Sequence, residues 1–148
     1  MDNSLRELYQ EVILDHSRHP RHFGTLDDAT HKAEGYNPLC GDRVTVTLKL
    51  DAQGRVADIK FVGKGCAISQ ASASLMTDLL AGKTQGEAER VMRGFLHLVK
   101  GEPANDLPED AREHLDVMGA LSEFSRRVKC ATLGWHTYEN AVEEGAQR

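Results

Sequence analysis

Cysteine is scarce in this sequence, with 3 cysteines among 148 residues. So small and odd a number cannot complete the disulfide framework that stabilises many small secreted proteins. A chain of this length needs no cross-links, because it can bury roughly 70% of the surface that the unfolded chain exposes. We therefore expect a single globular domain spanning residues 1–148 in a reducing compartment, and we predict a cytoplasmic protein.

Long apolar runs, aromatic residues and an excess of positive charge are also lacking. No apolar run approaches the roughly 18 residues of a membrane span, and the first residues, MDNSLRELYQEV, lack the apolar centre of a signal peptide. Aromatic residues make up 5% of the chain and the net charge is -5, whereas surfaces that bind nucleic acids are basic or carry stacking aromatic residues. We expect proteins or small ions as partners, and neither a membrane nor a nucleic acid.

Two stretches of alternating apolar residues predict a small antiparallel sheet. They cover residues 44–50 and 56–62, and the turn at residues 51–54 favours a hairpin. Residues 19–35, rich in His, Gly and Asp, are predicted to form a loop. Helical patterns occupy most of the remaining chain. The predicted fold class is therefore α+β, with helices packed on one face of a small antiparallel sheet.

Five helices are predicted from apolar residues at helical spacing and from capping residues. Ser4 with Glu7 forms a capping box for the first helix, and Thr84 with Glu87 forms one for the third. The helices are expected before Pro20, at residues 67–81 with Gly82 as the C-cap, between Thr84 and Gly101, at about residues 108–119, and directly after Cys130.

All three cysteines lie at the ends of predicted elements. Cys40 lies in the turn-rich segment NPLCGD, and Cys66 and Cys130 each precede a predicted helix, where the backbone N–H groups favour a thiolate. Asp42, two residues after Cys40, can place a carboxylate on the same side of an extended turn. Three thiolates and one carboxylate suit zinc, or iron together with sulfide.

A structural role for the cysteines remains open at this point. Scattered cysteines without a CxxC pair are usually buried core residues, but these three lie among Gly, Pro, Asp, Lys and Arg rather than on apolar stripes. As a metal ligand, Cys40 is the thiolate expected to leave most easily and to act as a nucleophile, because Gly41 and the turn make its backbone mobile. Four basic residues either offset the negative charge of such a site or form a solvated surface. They are Lys64, Arg126, Arg127 and Lys129.

Other catalytic motifs do not stand out. His16, His19 and His22 recur every three residues, but Pro20 interrupts the helix that would align them, so hydrogen bonds, solvent or partner contacts are expected instead of a metal. The sequence contains no HExxH, Walker A, GxSxG or dinucleotide-binding motif. This argues against the common hydrolase, nucleotide-binding and hydride-transfer functions.

Four segments in order resemble the IscU/NifU N-terminal family of iron–sulfur cluster assembly proteins. They read LYQEVILDHSRHPRHFG, EGYNPLCGDRV, FVGKGCAISQASASLM and RVKCATLGWHT. The resemblance implies an α+β fold with a small sheet packed against helices. It also implies a metal or cluster site formed by Cys40, Asp42, Cys66 and Cys130.

Two departures from classic IscU scaffolds resemble the SufU branch of this family. Lys129 stands where those scaffolds have a His before the third cysteine, and the segment at about residues 83–127 is longer. Similarity to that branch implies zinc on the three cysteines and Asp42, and a pyridoxal-phosphate cysteine desulfurase of the SufS type as partner. It further implies that Cys40 receives the persulfide after a partner His displaces it from zinc, and that Arg127 supports the site. The residues FSRRVK replace the scaffold's chaperone-binding motif LPPVK, so the resemblance does not extend to an Hsp70-type partner.

Three functions are consistent with this pattern. The first is a zinc-dependent sulfurtransferase that accepts persulfide sulfur through Cys40. The second is a scaffold that assembles a [2Fe-2S] cluster on the same four residues and passes it to downstream assembly machinery; Asp42, a hard oxygen ligand, would make such a cluster labile. The third is a structural zinc module in which the metal only contributes folding energy.

Overall fold

The fold is a three-stranded antiparallel sheet with helices packed against it. The computed structural model describes residues 3–146; the side chains of residues 3–6, 8 and 9, and with them the predicted capping box of Ser4, lie outside the described part. The strands follow the order β1-β2-β3, with β1 at His31–Asn37, β2 at Asp42–Leu50 and β3 at Val56–Lys64. The helices are α1 (Asn3–Arg18), α2 (Ala67–Leu80), α3 (Gln85–Val99), α4 (Glu109–Leu115), a 3-10 helix (Asp116–Glu123) and α5 (Ser125–Glu144).

The predicted hairpin is confirmed, and a third strand joins it. β2 and β3 pair antiparallel around a turn in which Gly54 has a φ of 75°. The prediction of a loop is wrong for residues 31–35, because they belong to β1, which pairs along β2. Its sequence, HKAEGYN, is poor in β-branched residues, so pairing and packing determine this strand. Gly35 allows α5 to lie close against it, since a methyl group there would overlap the Thr137 side chain.

The part of the predicted loop before β1 crosses the sheet as an ordered arm. Phe61 of β3 exchanges backbone hydrogen bonds with this arm, accepting one from Gly24 at 2.9 Å and donating one to His22 at 3.1 Å. Further along, the backbone N–H of Leu26 donates to the Thr47 hydroxyl at 3.1 Å. The arm therefore binds the free edge of β3 and continues to the central strand.

Most of the helix predictions are confirmed, with one correction that affects a cysteine. α2 and α3 lie where expected, the capping box of Thr84 and Glu87 is present, and Gly82 follows α2 with a φ of 84°. The helix predicted at residues 108–119 is α4 followed by the 3-10 helix. The last helix begins at Ser125 rather than after Cys130, so Cys130 lies inside its second turn.

A buried polar contact fixes α2 relative to α5. The indole Nε1 of Trp135, which is fully buried and stacks on Phe95 at 4.4 Å between ring centroids, donates to the Ser72 hydroxyl at 3.0 Å. Ser72 Oγ in turn donates to the backbone oxygen of Ala131 at 2.5 Å. Since Ala131 follows Cys130 and Ser72 lies six residues after Cys66, this contact sets the relative position of the two helices that carry these cysteines.

In the part of the chain that the structure describes, no helix is both long enough and apolar enough to cross a bilayer.

Candidate metal centre

The three cysteines and Asp42 meet at one end of the sheet. Cys40 lies in the turn between β1 and β2, and Asp42 begins β2. Arg43 pairs with Lys64 at the end of β3, so the chain that leaves β3 reaches Cys66 beside Asp42. Cys130 approaches from α5, which packs over β1 and β2. We call Cys40, Asp42, Cys66 and Cys130 the donor set.

The donor atoms lie within reach of one another. The Sγ atoms of Cys130 and Cys40 are 3.2 Å apart, and these two sulfurs and a carboxylate oxygen of Asp42 all lie within 4.8 Å of each other. Cys66 Sγ is 3.9 Å from Asp42 Oδ2. Cys66 is also the N-cap of α2, where its sulfur accepts the backbone N–H of Ser69 at 3.5 Å. The structure therefore brings all four residues together, with Cys66 at the edge of a closer group of three.

Asp42 is a buried carboxylate that is held by the backbone of Cys66. It is 0% exposed, and its Oδ1 accepts the backbone N–H of Cys66 at 2.9 Å. None of the ion pairs described for residues 3–146 includes it. Because a buried negative charge without a cation is unfavourable, this carboxylate beside three thiols fits a bound metal cation. Thiolate and carboxylate ligands in this number suit zinc, and thiolates also suit iron–sulfur chemistry.

The three thiols differ in their exposure. Cys40 is exposed, Cys66 is half-buried and Cys130 is buried. Burial, followed by hydrogen bonding with Cys40 and Asp42, raises the pKa of the Cys130 thiol. In the absence of a metal Cys130 therefore keeps its proton, and a metal ion bound here would displace that proton.

Several basic residues lie close along the chain to members of the donor set. None of the ion pairs between described residues involves Arg43, Lys64 or the basic residues of the first turns of α5. Arg43 lies over the Tyr36 ring, 4.8 Å from its centroid. Arg127 lines an open cleft of about 570 Å³ together with Cys66 and the exposed Phe124. Arg127 therefore shares a cleft with one member of the donor set, Cys66.

The histidine tract lies apart from the donor set. His16 Nδ1 is 2.8 Å from the hydroxyl of Ser74, and burial lowers the pKa of this imidazole. His22 Nε2 is 3.7 Å from the Asp78 carboxylate. Among the described residues, the only group of three or more potential metal ligands with close donor atoms is that of Cys40, Asp42 and Cys130. A hydrogen bond, one of the interactions expected for this tract, is therefore present at His16.

Two residues that shape the site were not singled out from the sequence. The carbonyl of Asn37 accepts the backbone N–H of Gly41 at 2.9 Å, and its side-chain oxygen accepts that of Leu39 at 3.2 Å, so Asn37 shapes the turn of Cys40. The Asn-Pro pair before Cys40 is a turn signal that points to this role. Gly65 packs against Asp42 so closely that a methyl group would overlap the carboxylate. No local pattern indicates that contact, because it depends on the tertiary fold.

An α+β scaffold with three convergent thiols and a buried carboxylate defines a candidate metal-binding protein of the thiolate class. Residues 8–144 match the family described as NifU-like N terminal domain, and the chain belongs to this family. The family resemblance found in the sequence is therefore confirmed.

Two curated relatives and one solved structure illustrate the similarity. The chain is 40% identical over 144 residues to the zinc-dependent sulfurtransferase SufU of Bacillus subtilis, covering 96% of this chain and 95% of that protein. It is 36% identical over 144 residues to the iron–sulfur cluster assembly scaffold protein IscU of Streptococcus pyogenes, covering 97% and 88%. The crystal structure of FiSufU from Fervidobacterium islandicum superposes with a TM-score of 0.83 at 33% identity, covering 93% and 98%.

Proposed function

We propose that this protein is a zinc-dependent sulfurtransferase of iron–sulfur cluster assembly that accepts persulfide sulfur on Cys40 from a cysteine desulfurase of the SufS type in the cytoplasm. The observation that carries this proposal is the difference in exposure within the donor set. Cys40 is exposed, whereas Cys130 and Asp42 are 0% exposed. One thiol can therefore meet a donor protein while the other groups stay in place.

The donor set fits zinc, and all four of its residues would hold the ion. Bound zinc would keep the thiols deprotonated at neutral pH. Asp42 and Cys66 are already held against each other by the 2.9 Å backbone hydrogen bond. The basic residues around the site, including Arg127, offset the negative charge of three thiolates and a carboxylate.

The turn between β1 and β2 allows Cys40 to move. Gly41 has a φ of 71°, and no atom lies within 4 Å of the position that a Cβ would take there. The backbone N–H of Cys40 makes a long hydrogen bond of 3.3 Å to the Asn37 carbonyl. Cys66 and Cys130, by contrast, belong to the start of α2 and to the second turn of α5. Of the four residues in the donor set, Cys40 can therefore move away with the smallest disturbance of the fold.

The transfer itself is a thiol–disulfide type exchange. The Cys40 thiolate attacks the outer sulfur of the desulfurase persulfide, and the S–S bond of that persulfide breaks. The outer sulfur becomes bonded to Cys40, and the desulfurase cysteine leaves as a thiolate. No external oxidant or reductant is consumed in this step.

A turnover assay tests the proposal. Desulfurase of the SufS type is supplied with cysteine, and alanine production is followed with the native chain, Cys40→Ala and Cys40→Ser. Ser preserves the size of the side chain and the turn but cannot accept sulfur. We expect the native chain to stimulate turnover and both variants to lose the stimulation; equal stimulation by all three chains would refute the role of Cys40.

A [2Fe-2S] scaffold is the second candidate. It is favoured by the fully buried Asp42, because a hard oxygen ligand among thiolates makes a bound cluster labile and easy to transfer. Anaerobic reconstitution with iron and sulfide should then give a cluster spectrum, and Asp42→Ala should make the cluster more persistent. A complete lack of cluster absorption in both chains would exclude this candidate.

A further inference from the structure

Gly65 lies between the end of β3 and the N-cap of α2, directly against the Asp42 side chain. A Cβ at this position would overlap Asp42 Oδ1, and it would lie 2.9 Å from Asp42 Cγ and 2.6 Å from Ser69 Oγ. Its backbone does not have the left-handed φ found at Gly41 and Gly54. The space beside Gly65 is thus occupied by the carboxylate, and steric fit is what selects glycine here.

The carboxylate has little room to retreat from a side chain at position 65. Asp42 is fully buried, and its Oδ1 is held by the backbone N–H of Cys66 at 2.9 Å. The neighbouring Ser69 hydroxyl donates to the Cys66 carbonyl at 3.1 Å. A larger residue 65 would break the hydrogen bond from Cys66 or turn the carboxylate away from the sulfurs.

We propose that Gly65 is a positioning residue for the metal centre: its missing side chain lets the Cys66 N–H bind one oxygen of Asp42, so that the other oxygen faces the thiols as a ligand. This inference rests on the proposed function, since it takes the donor set as the metal site. Gly65 touches neither the metal nor the transferred sulfur. It acts through Asp42, which stays in place when Cys40 leaves.

Cobalt(II) is the probe that tests this proposal, because its visible spectrum reports how many thiolates and oxygens bind it. Spectra and affinities are measured by titration against a chelator for the native chain, Asp42→Ala, Asp42→Asn, Gly65→Ala and the double variant Gly65→Ala/Asp42→Ala. Gly86→Ala is the matched control, since no atom lies within 4 Å of a Cβ there. Ser69→Ala shows whether the neighbouring hydroxyl matters by itself.

We expect Gly65→Ala to bind cobalt about 10- to 100-fold more weakly than the native chain, the range found when groups that orient ligands are changed. Its spectrum should match that of Asp42→Ala, and the double variant should be no weaker than Asp42→Ala alone. Gly86→Ala and Ser69→Ala should keep the native spectrum. A native spectrum in Gly65→Ala, when Asp42→Ala and Asp42→Asn differ from native, would overturn this inference only. Identical spectra in the native chain and both Asp42 variants would overturn the proposed metal site as well.

Thermal unfolding of the metal-free chains keeps the proposal testable if Gly65→Ala folds poorly. Truncating Asp42 removes the carboxylate atoms that the new methyl group would overlap and leaves Ser69 Oγ beside it. Gly65→Ala should therefore lower the melting temperature in the native background and should have a clearly smaller effect in the Asp42→Ala background. An equal decrease in both backgrounds would show that Gly65 acts on the backbone and not through Asp42, which would overturn the proposal.

Discussion

Replacing Ser72 by Ala should weaken both the fold and the metal site, because this hydroxyl joins the two helices that carry Cys66 and Cys130. In the native chain it accepts the Trp135 indole N–H at 3.0 Å and donates to the Ala131 carbonyl at 2.5 Å. Loss of Ser72 leaves a fully buried indole N–H without a partner, which costs about 1–3 kcal/mol, and removes a second bond worth about 0.5–1.5 kcal/mol. We expect a total loss of about 1.5–4.5 kcal/mol, against a typical stability of about 5–15 kcal/mol.

Urea unfolding of the metal-free chain measures this loss, and a cobalt or zinc titration measures the effect on the site. Ser74→Ala is the matched control, because Ser74 is equally buried on α2 but bonds His16 and the backbone of Arg21 at 2.8 Å, away from α5. Both variants should be destabilised, and only Ser72→Ala should bind metal more weakly. A loss of stability below about 0.5 kcal/mol in Ser72→Ala, or equal metal affinity in the two variants, would show that Ser72 does not couple the helices to the site.

Three further predictions concern pH, the cleft and the metal. Burial holds the His16 pKa below its usual 6.5, so the unfolded chain binds the proton at a higher pH than the folded chain does. The free energy of unfolding should therefore fall as the pH drops below about 6.5. His16→Gln should reduce this fall when urea unfolding is measured from about pH 7.5 to 5. Phe124 is 57% exposed in the cleft beside Cys66, so Phe124→Ala should change the free energy of unfolding by less than about 0.5 kcal/mol. The same variant should raise the KM for the chain in the desulfurase assay, and an unchanged KM would show that the desulfurase does not dock at this cleft. Removal of the metal with a chelator should lower the melting temperature but leave the far-UV circular dichroism spectrum native, because the apolar core lies outside the donor set. Full unfolding on chelation would instead favour the third function, a structural zinc module.

The hairpin and α2 were predictable because their signals are local. Alternating apolar residues from Val44 onward face the core in one register only, and the run after Cys66 combines helical spacing with a capping position. β1 has no such signal, because its residues become a strand through pairing with β2 and through the approach of α5 to Gly35. The start of α5 was misplaced for a related reason: residues 125–129 are mostly polar, and the buried apolar residues that stabilise their helix come later, from Ala131 onward.

The donor residues of the candidate site were predictable from the sequence, but the residues that position them were not. Cys40, Asp42 and Cys66 carry distinctive neighbours in the sequence, such as turn residues and a helix start. The roles of Gly65 and Ser72 have no local signal, because they depend on contacts with residues distant along the chain, Asp42 and Ala131 respectively. Long-range packing of this kind is set by the three-dimensional fold, and the spacing of one segment does not reveal it.

Transfer of sulfur from a persulfide donor to Cys40 is the step on which the proposed function depends. It is tested by site-resolved mass spectrometry of the zinc-loaded chain after reaction with the desulfurase and cysteine and trapping with an alkylating agent. We predict one added sulfur atom on Cys40 and none on Cys66 or Cys130. Sulfur on Cys66 or Cys130 with Cys40 unmodified, or no added sulfur on any cysteine while the desulfurase turns over, would rule out Cys40 as the acceptor.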